Sequence, residues 1–177
     1  MRRVWLSASL AVTVTALVLG AWAAKNGVAE RTTDQASREI VLIARTPTAK
    51  AGGDIRLWVA VHNRGPKPML IDGRMMWPGN VFLWVKAPGS SDESGAETTR
   101  PRITRPVKAD LVSLRSECFY GLEIVVGAHG DEHLVHELRK LRPGTYTFRA
   151  VYYSPDAPTL GAKGFEVSSN SVTVTVE

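Results

Sequence analysis

Ile55-Arg56-Leu57-Trp58-Val59-Ala60-Val61-His62 carries the reading of the fold. Its odd positions are aliphatic without interruption, and Arg, Trp, Ala and His stand between them. Successive side chains of a strand point to opposite faces, so this period of two describes a strand with one face on a core. The 3.6-residue template of a helix fits it poorly. Asn63-Arg64-Gly65-Pro66 then stops the run with turn chemistry.

Outward from this octet the pattern recurs. Cys118, Tyr120, Leu122, Ile124 and Val126 form a second long series, with Phe119, Gly121, Glu123 and Val125 on the other parity. Shorter strands are predicted at 40–44, 69–71, 81–86, 145–153 and 172–176. Between them lie an apolar loop, Met75-Met76-Trp77-Pro78-Gly79-Asn80, and a long inserted loop at 87–110, in which Ile103 and Val107 suit an edge strand. One short helix is expected at 131–140, where Leu134, Leu138 and Leu141 recur at helical spacing before Pro143-Gly144. About seven short strands with barely one helix make an all-β chain. Alternation within the strands favours antiparallel sheets with one wet face.

Leu141-Arg142-Pro143-Gly144-Thr145-Tyr146 resembles the corner leading into the sixth strand of immunoglobulin-like domains. Residues 149–153 and 169–176 look like the closing hairpin of bacterial secreted modules of that kind, and 55–63 resembles their second strand. The likeness covers about residues 40–176. It implies an antiparallel immunoglobulin-like β-sandwich in which the Tyr146 hydroxyl bonds to backbone just upstream. The chain departs from antibody domains in having one cysteine, Cys118, and so no disulfide pair. A looser similarity to sandwich-fold bacterial protease inhibitors rests on no matched contact motif.

The N-terminus addresses the chain. Arg2 and Arg3 precede an uncharged apolar run, and Ala21-Trp22-Ala23 is a small-residue end suited to cleavage. This predicts a signal peptide at 1–23, a polar spacer at 24–39 and one domain at 40–177, secreted or periplasmic. An uncut leader would also be long enough to span a bilayer, so membrane contact is expected only through it. The chain has 22 Lys+Arg against 17 Asp+Glu, and the leader takes Arg2 and Arg3 with it. So small a surplus predicts no nucleic-acid partner.

His129-Gly130-Asp131-Glu132-His133 spells an inverted zinc-peptidase motif, which works only if one helix face presents both imidazoles. Gly130 and Asp131 argue against a helix there, and no third ligand follows, so no enzyme activity, metal or cofactor is expected. His133 and His136 read as polar decoration of the short helix. Cys118 shares its parity with Tyr120 and Leu122 and reads as a small buried hydrophobe; Glu117 beside it would not activate a thiol. Charge in the insertion splits between Asp92, Glu93 and Glu97 and a later basic group of Arg100, Arg102, Arg105 and Lys108, as solvated loops often do.

Aromatic residues carry the remaining signal. Trp58, Phe82 and Trp84 stand on the parity opposite their Val and Leu neighbours, and Trp77 sits in the apolar loop. Exposed aromatics mark protein contacts or sugar platforms. The ligand-binding residues predicted are Met75, Trp77, Trp84, Tyr153 and Lys163, spread over loops 74–80 and 154–166 and the adjoining strands. The expected function is a non-catalytic exported binding module for a protein or envelope component, a polysaccharide included. A carbohydrate-binding or protease-inhibitor domain is the alternative.

Overall fold

The two long alternating segments are neighbours in space. Strand β3 (Asp54–Asn63) pairs antiparallel with β8 (Phe119–Gly127), setting Leu57 opposite Ile124 and Val59 opposite Leu122. Strand β1 (Arg38–Ala44) pairs antiparallel with the other side of β3, so the sheet order is β1-β3-β8. The computed structural model describes residues 37–75, 77–97, 104–130 and 132–177. The leader, most of the spacer, Met76, Asp131, and 98–103 with Arg100, Arg102 and Ile103 lie outside the described residues.

A second sheet has the order β2-β10-β9-β5-β6. Its strands are β2 (Thr48–Ala49), β5 (Val81–Lys86), β6 (Ser94–Gly95), β9 (Gly144–Ser154) and β10 (Phe165–Val176). All its pairings are antiparallel except that of β2, which runs parallel to β10. Strands β4 (Met69–Asp72) and β7 (Leu111–Leu114) form a separate antiparallel ribbon. The chain is all-β with antiparallel sheets and one short helix, α1 (His136–Arg139), among the described residues.

One parity of each sheet is buried in a common apolar cluster. Leu42, Leu57, Val59 and Ile124 come from the first sheet; Leu83, Phe148, Tyr152 and Val174 come from the second. Each such side chain taken from water contributes about 1.5–3 kcal/mol, with no disulfide to assist. The remaining parity, carrying Trp58 on β3 and Phe82 and Trp84 on β5, faces outward. At the entry to β9 the Tyr146 hydroxyl accepts from the Arg142 backbone N–H at 3.0 Å and donates to its carbonyl at 3.3 Å. Gly144 begins that strand at φ 136, and a Cβ there would come within 2.6 Å of Pro88. That corner excludes any other residue.

Several sequence expectations are corrected. The helix predicted at 131–140 shrinks to α1, although Leu134, Leu138 and Leu141 are buried as expected. Leu134 is instead bridged to Glu97, and the Val135 N–H donates to the Ala96 carbonyl at 2.9 Å. A sheet-like pairing takes the backbone groups that a helix would have used. The insertion is not free at its start: β6 lies beside Trp84 and Val85, and Arg149 holds Glu93 at 2.7 Å. Val107 is exposed and outside any strand. Strand β7 follows from Leu111-Val112-Ser113-Leu114, a segment too short to register as a pattern, and β1 starts at Arg38, two residues inside the spacer.

Strand β10 also begins well before 172. The reason lies in Ser168-Ser169-Asn170-Ser171, which lacks apolar alternation and forms an irregularity in the β9–β10 ladder. There the Asn170 side chain accepts from the Leu42 N–H at 3.1 Å and donates to the Leu42 carbonyl at 3.0 Å. One amide thus occupies both outward backbone groups of an edge residue, which hinders addition of a foreign strand at that point.

Candidate functional site

Loop 74–80 owes its position to a buried carboxylate. Asp72 ends β4 with its side chain 0% exposed. Arg74 donates to it through Nε at 2.8 Å and also through Nη2, and Asn80 Nδ2 donates at 3.2 Å. The same Asn80 nitrogen donates to the Tyr153 carbonyl at 3.1 Å, and the Tyr153 N–H donates to the Asn80 carbonyl at 2.7 Å. Behind them the Tyr152 hydroxyl donates to the Asp72 carbonyl at 2.8 Å, and the Asp72 N–H donates to Ser154 Oγ at 3.3 Å. Burial works against ionisation of Asp72, but the hydrogen bonds and charge of Arg74, with Asn80, outweigh it and hold the carboxyl below its ordinary range. Burial likewise keeps the Tyr152 hydroxyl protonated well above the usual phenol range.

This junction ties both ends of loop 73–80 to the end of β9. The sequence reading did not single out Asp72. The signal available was an acid two residues before an arginine, with an asparagine at the entry to the next strand.

The five predicted contact residues separate. Met75 is only 3% exposed and belongs to the core, so its assignment as a contact residue is corrected. It sits at φ 38, turned inward by the loop. Trp77 packs against the same core, ahead of a cis peptide bond to Pro78, and its indole N–H is buried with no acceptor among the described residues. Lys163 is exposed in the loop between β9 and β10. That loop is closed on itself: Ala157 and Ala162 are bridged, and the Gly164 N–H donates to Asp156 at 2.6 Å.

Trp84 and Tyr153 do come together on one surface, the outward face of the five-stranded sheet. Phe82 stands opposite Val151 and Trp84 opposite Arg149, while Tyr153 lies two residues beyond Val151, 37% exposed. Arg149 places its guanidinium carbon 5.8 Å from the Trp84 ring centre while pairing with Glu93. Trp58 is not part of this strip, because β3 belongs to the other sheet.

The three-stranded sheet has an aromatic surface of its own, which the sequence reading caught only at Trp58. Phe119 stacks on His62 with ring centres 4.0 Å apart, and its ring is 6.1 Å from that of Trp58. His62 lies between carboxylates, with Nδ1 3.2 Å from Glu39 and Nε2 3.4 Å from Glu117. Register with His62 was the missing information for Phe119.

The histidine motif has no catalytic geometry. His129 and His133 both lie outside α1, so that helix presents neither, and His129 Nδ1 is 3.0 Å from Asp54. Among the described residues no three His, Cys, Asp or Glu side chains are grouped to hold a metal ion. Cys118 is partly buried against the core.

No family model matches the chain, and no curated protein matches it. Among solved structures, a β-glucosidase (EmGH1) from Erythrobacter marinus is similar over 76% of this chain but 15% of its own, at 17% identity and a TM-score of 0.35. A β-glucosidase from Listeria innocua in complex with glucose is similar over 75% of this chain and 16% of its own, at 13% identity and a TM-score of 0.35. The chain thus spans a small fraction of either enzyme, and likeness at this level assigns it no activity.

Proposed function

We propose that the chain is an exported immunoglobulin-like β-sandwich serving as a non-catalytic binding module for a protein of the cell envelope. Support for the fold comes from the strand partition. Strands β1, β3 and β8 correspond in order to the first, second and fifth strands of that family, and β5, β9 and β10 to the third, sixth and seventh. The Tyr146 hydroxyl at the corner before β9 adds to it. Support for export is the leader sequence alone, and a mature N-terminus at Ala24 in the exported protein is the expected product.

Binding rests on one observation: Trp84, Phe82 and Tyr153 share the outward face of a five-stranded sheet, with Arg149 among them. Aromatic and arginine side chains are the anchors that protein interfaces favour. Sugar stacking needs an open ring face, whereas a guanidinium already lies over Trp84. Protein is therefore preferred to polysaccharide. Pull-down from the native envelope with wild type, Trp84→Ala, Tyr153→Ala and Trp77→Ala proteins tests the reading. Loss of the same partner from the first two variants, with retention by the third, is expected. Identical recoveries from all four would refute the face.

A further inference from the structure

The outward face of the three-stranded sheet is ordered in rows. Across β1, β3 and β8 the first row is Glu39, His62 and Phe119, and the second is Val41, Ala60 and Gly121. The third is Ile43, Trp58 and Glu123; Arg45, Arg56 and Val125 make the fourth. Beyond the first row lie Arg64 and Glu117, and beyond the fourth lie Asp54 and His129. Two large apolar side chains are left half-exposed on this face: Ile43 on β1 is 45% exposed and Phe119 on β8 49%.

We propose that this face joins two copies of the chain, related by a two-fold axis that lies in the interface across the strands. Such an axis sets the first row of one copy against the fourth of the other, and the second against the third. Glu39 then meets Arg45 of the second copy, Arg64 meets Asp54, and Glu117 meets His129. Val41 then meets Ile43 and Phe119 meets Val125, while Ala60, opposite Trp58, is already covered within its own chain. Arg56 falls opposite His62, which stands between Glu39 and Glu117, so that guanidinium also enters an acidic setting. A two-fold axis along the strands would instead set β1 against β8, so that Glu39 met Phe119, Arg45 met Val125 and Arg56 met Arg56, with no opposite charges paired. Self-complementarity of this kind is what an isologous dimer requires.

The charges fix orientation more than affinity, because Arg45 and Arg56 are already shared with Glu123 in the same chain. Three strands ~4.8 Å apart and ten residues of ~3.4 Å rise give a face of roughly 500 Å² per copy. That total of about 1,000 Å² sits at the threshold of a specific interface, so the association is weak. The proposal uses the sheet facing away from Trp84 and Tyr153 and does not rest on the binding reading.

Sedimentation equilibrium of the full chain, recovered after expression with its own leader, tests this from micromolar to millimolar concentration. Glu39→Arg and Arg45→Glu change exposed side chains, and circular dichroism checks their folding. Each variant alone should dimerise about tenfold more weakly or worse. An equimolar mixture should regain the wild-type constant, since each copy then meets opposite charges at both ends. A monomer at every concentration overturns the proposal. So does association indifferent to both substitutions, which would place the contact elsewhere, or association that the mixture fails to restore.

Discussion

The two outward faces are built from the same alternation, yet they treat their aromatic residues differently. On the five-stranded sheet, Trp84 lies beneath Arg149, and Glu93 anchors that arginine at 2.7 Å. On the three-stranded sheet, Phe119 leans on His62 and Trp58 but stays half-exposed, and all the charges but Glu123 sit toward the two ends of the face. A ring beneath a tethered cation meets a partner together with that arginine. A ring left open beside sorted charges has apolar surface still to bury. Strand parity puts a residue outside; its neighbours across the ladder decide whether it is covered.

The largest break in this comparison comes from the Asp72 junction, which holds β5 and β9 in place beneath the first face. Asp72→Ala strips Arg74 of its carboxylate and should cost about 3 kcal/mol in urea unfolding, with Arg74 partly exposed keeping it at the low end. The β1-β3-β8 face should be unaffected by the loop's loosening, so its self-association should persist wherever the variant is folded. Acid acts on the same group. Its carboxyl is harder to protonate folded than unfolded, so its contribution is complete above about pH 4 and is lost as pH falls through the lower folded value. Denaturant midpoints that stay flat on acidification in wild type, or fall as steeply in Asp72→Asn, would contradict this. Tyr152 works in the opposite direction: its raised folded value means stability is present below about pH 10 and declines above it.

A smaller effect is expected at the corner. Tyr146→Phe removes both bonds to Arg142 without changing ring packing, and should cost about 1–2 kcal/mol by the same unfolding measurement. Arg149→Ala should cost about 0.5–1 kcal/mol and shift tryptophan emission to longer wavelength, and the shift should vanish in a Trp84→Phe background. Phe119→Ser sharpens the contrast from the other side. It should change stability by no more than about 0.5 kcal/mol while weakening self-association, because the ring is half-exposed in the monomer.

Much of the fold was legible in the residues. Strands β3, β5, β8 and β9 fall where their alternation puts them, and the Tyr146 hydroxyl makes its backbone bonds as expected. What escaped was set by distant partners. Leu134 and Val135 forgo a helix because Ala96 and Glu97 offer sheet-like bonds. Ser168–Ser171 lacks apolar alternation because its polar side chains serve Ala150 and Leu42, far along the chain. Of the residues singled out for contact, Trp84 and Tyr153 share an outward face and Met75 lies in the core, while the half-exposed Phe119 was not singled out.

The sequence by itself determined which residues lie on opposite sides of each strand, since that follows from a two-residue period and needs no partner. It also set where the strands break, through Asn63-Arg64-Gly65-Pro66 and Pro143-Gly144. Only the tertiary structure decided that Trp58 and Trp84 look out from different sheets, and that Glu39, His62 and Phe119 share a row. Strand order and register depend on contacts between residues far apart in the chain, and a local period carries no information about which distant strand will lie alongside.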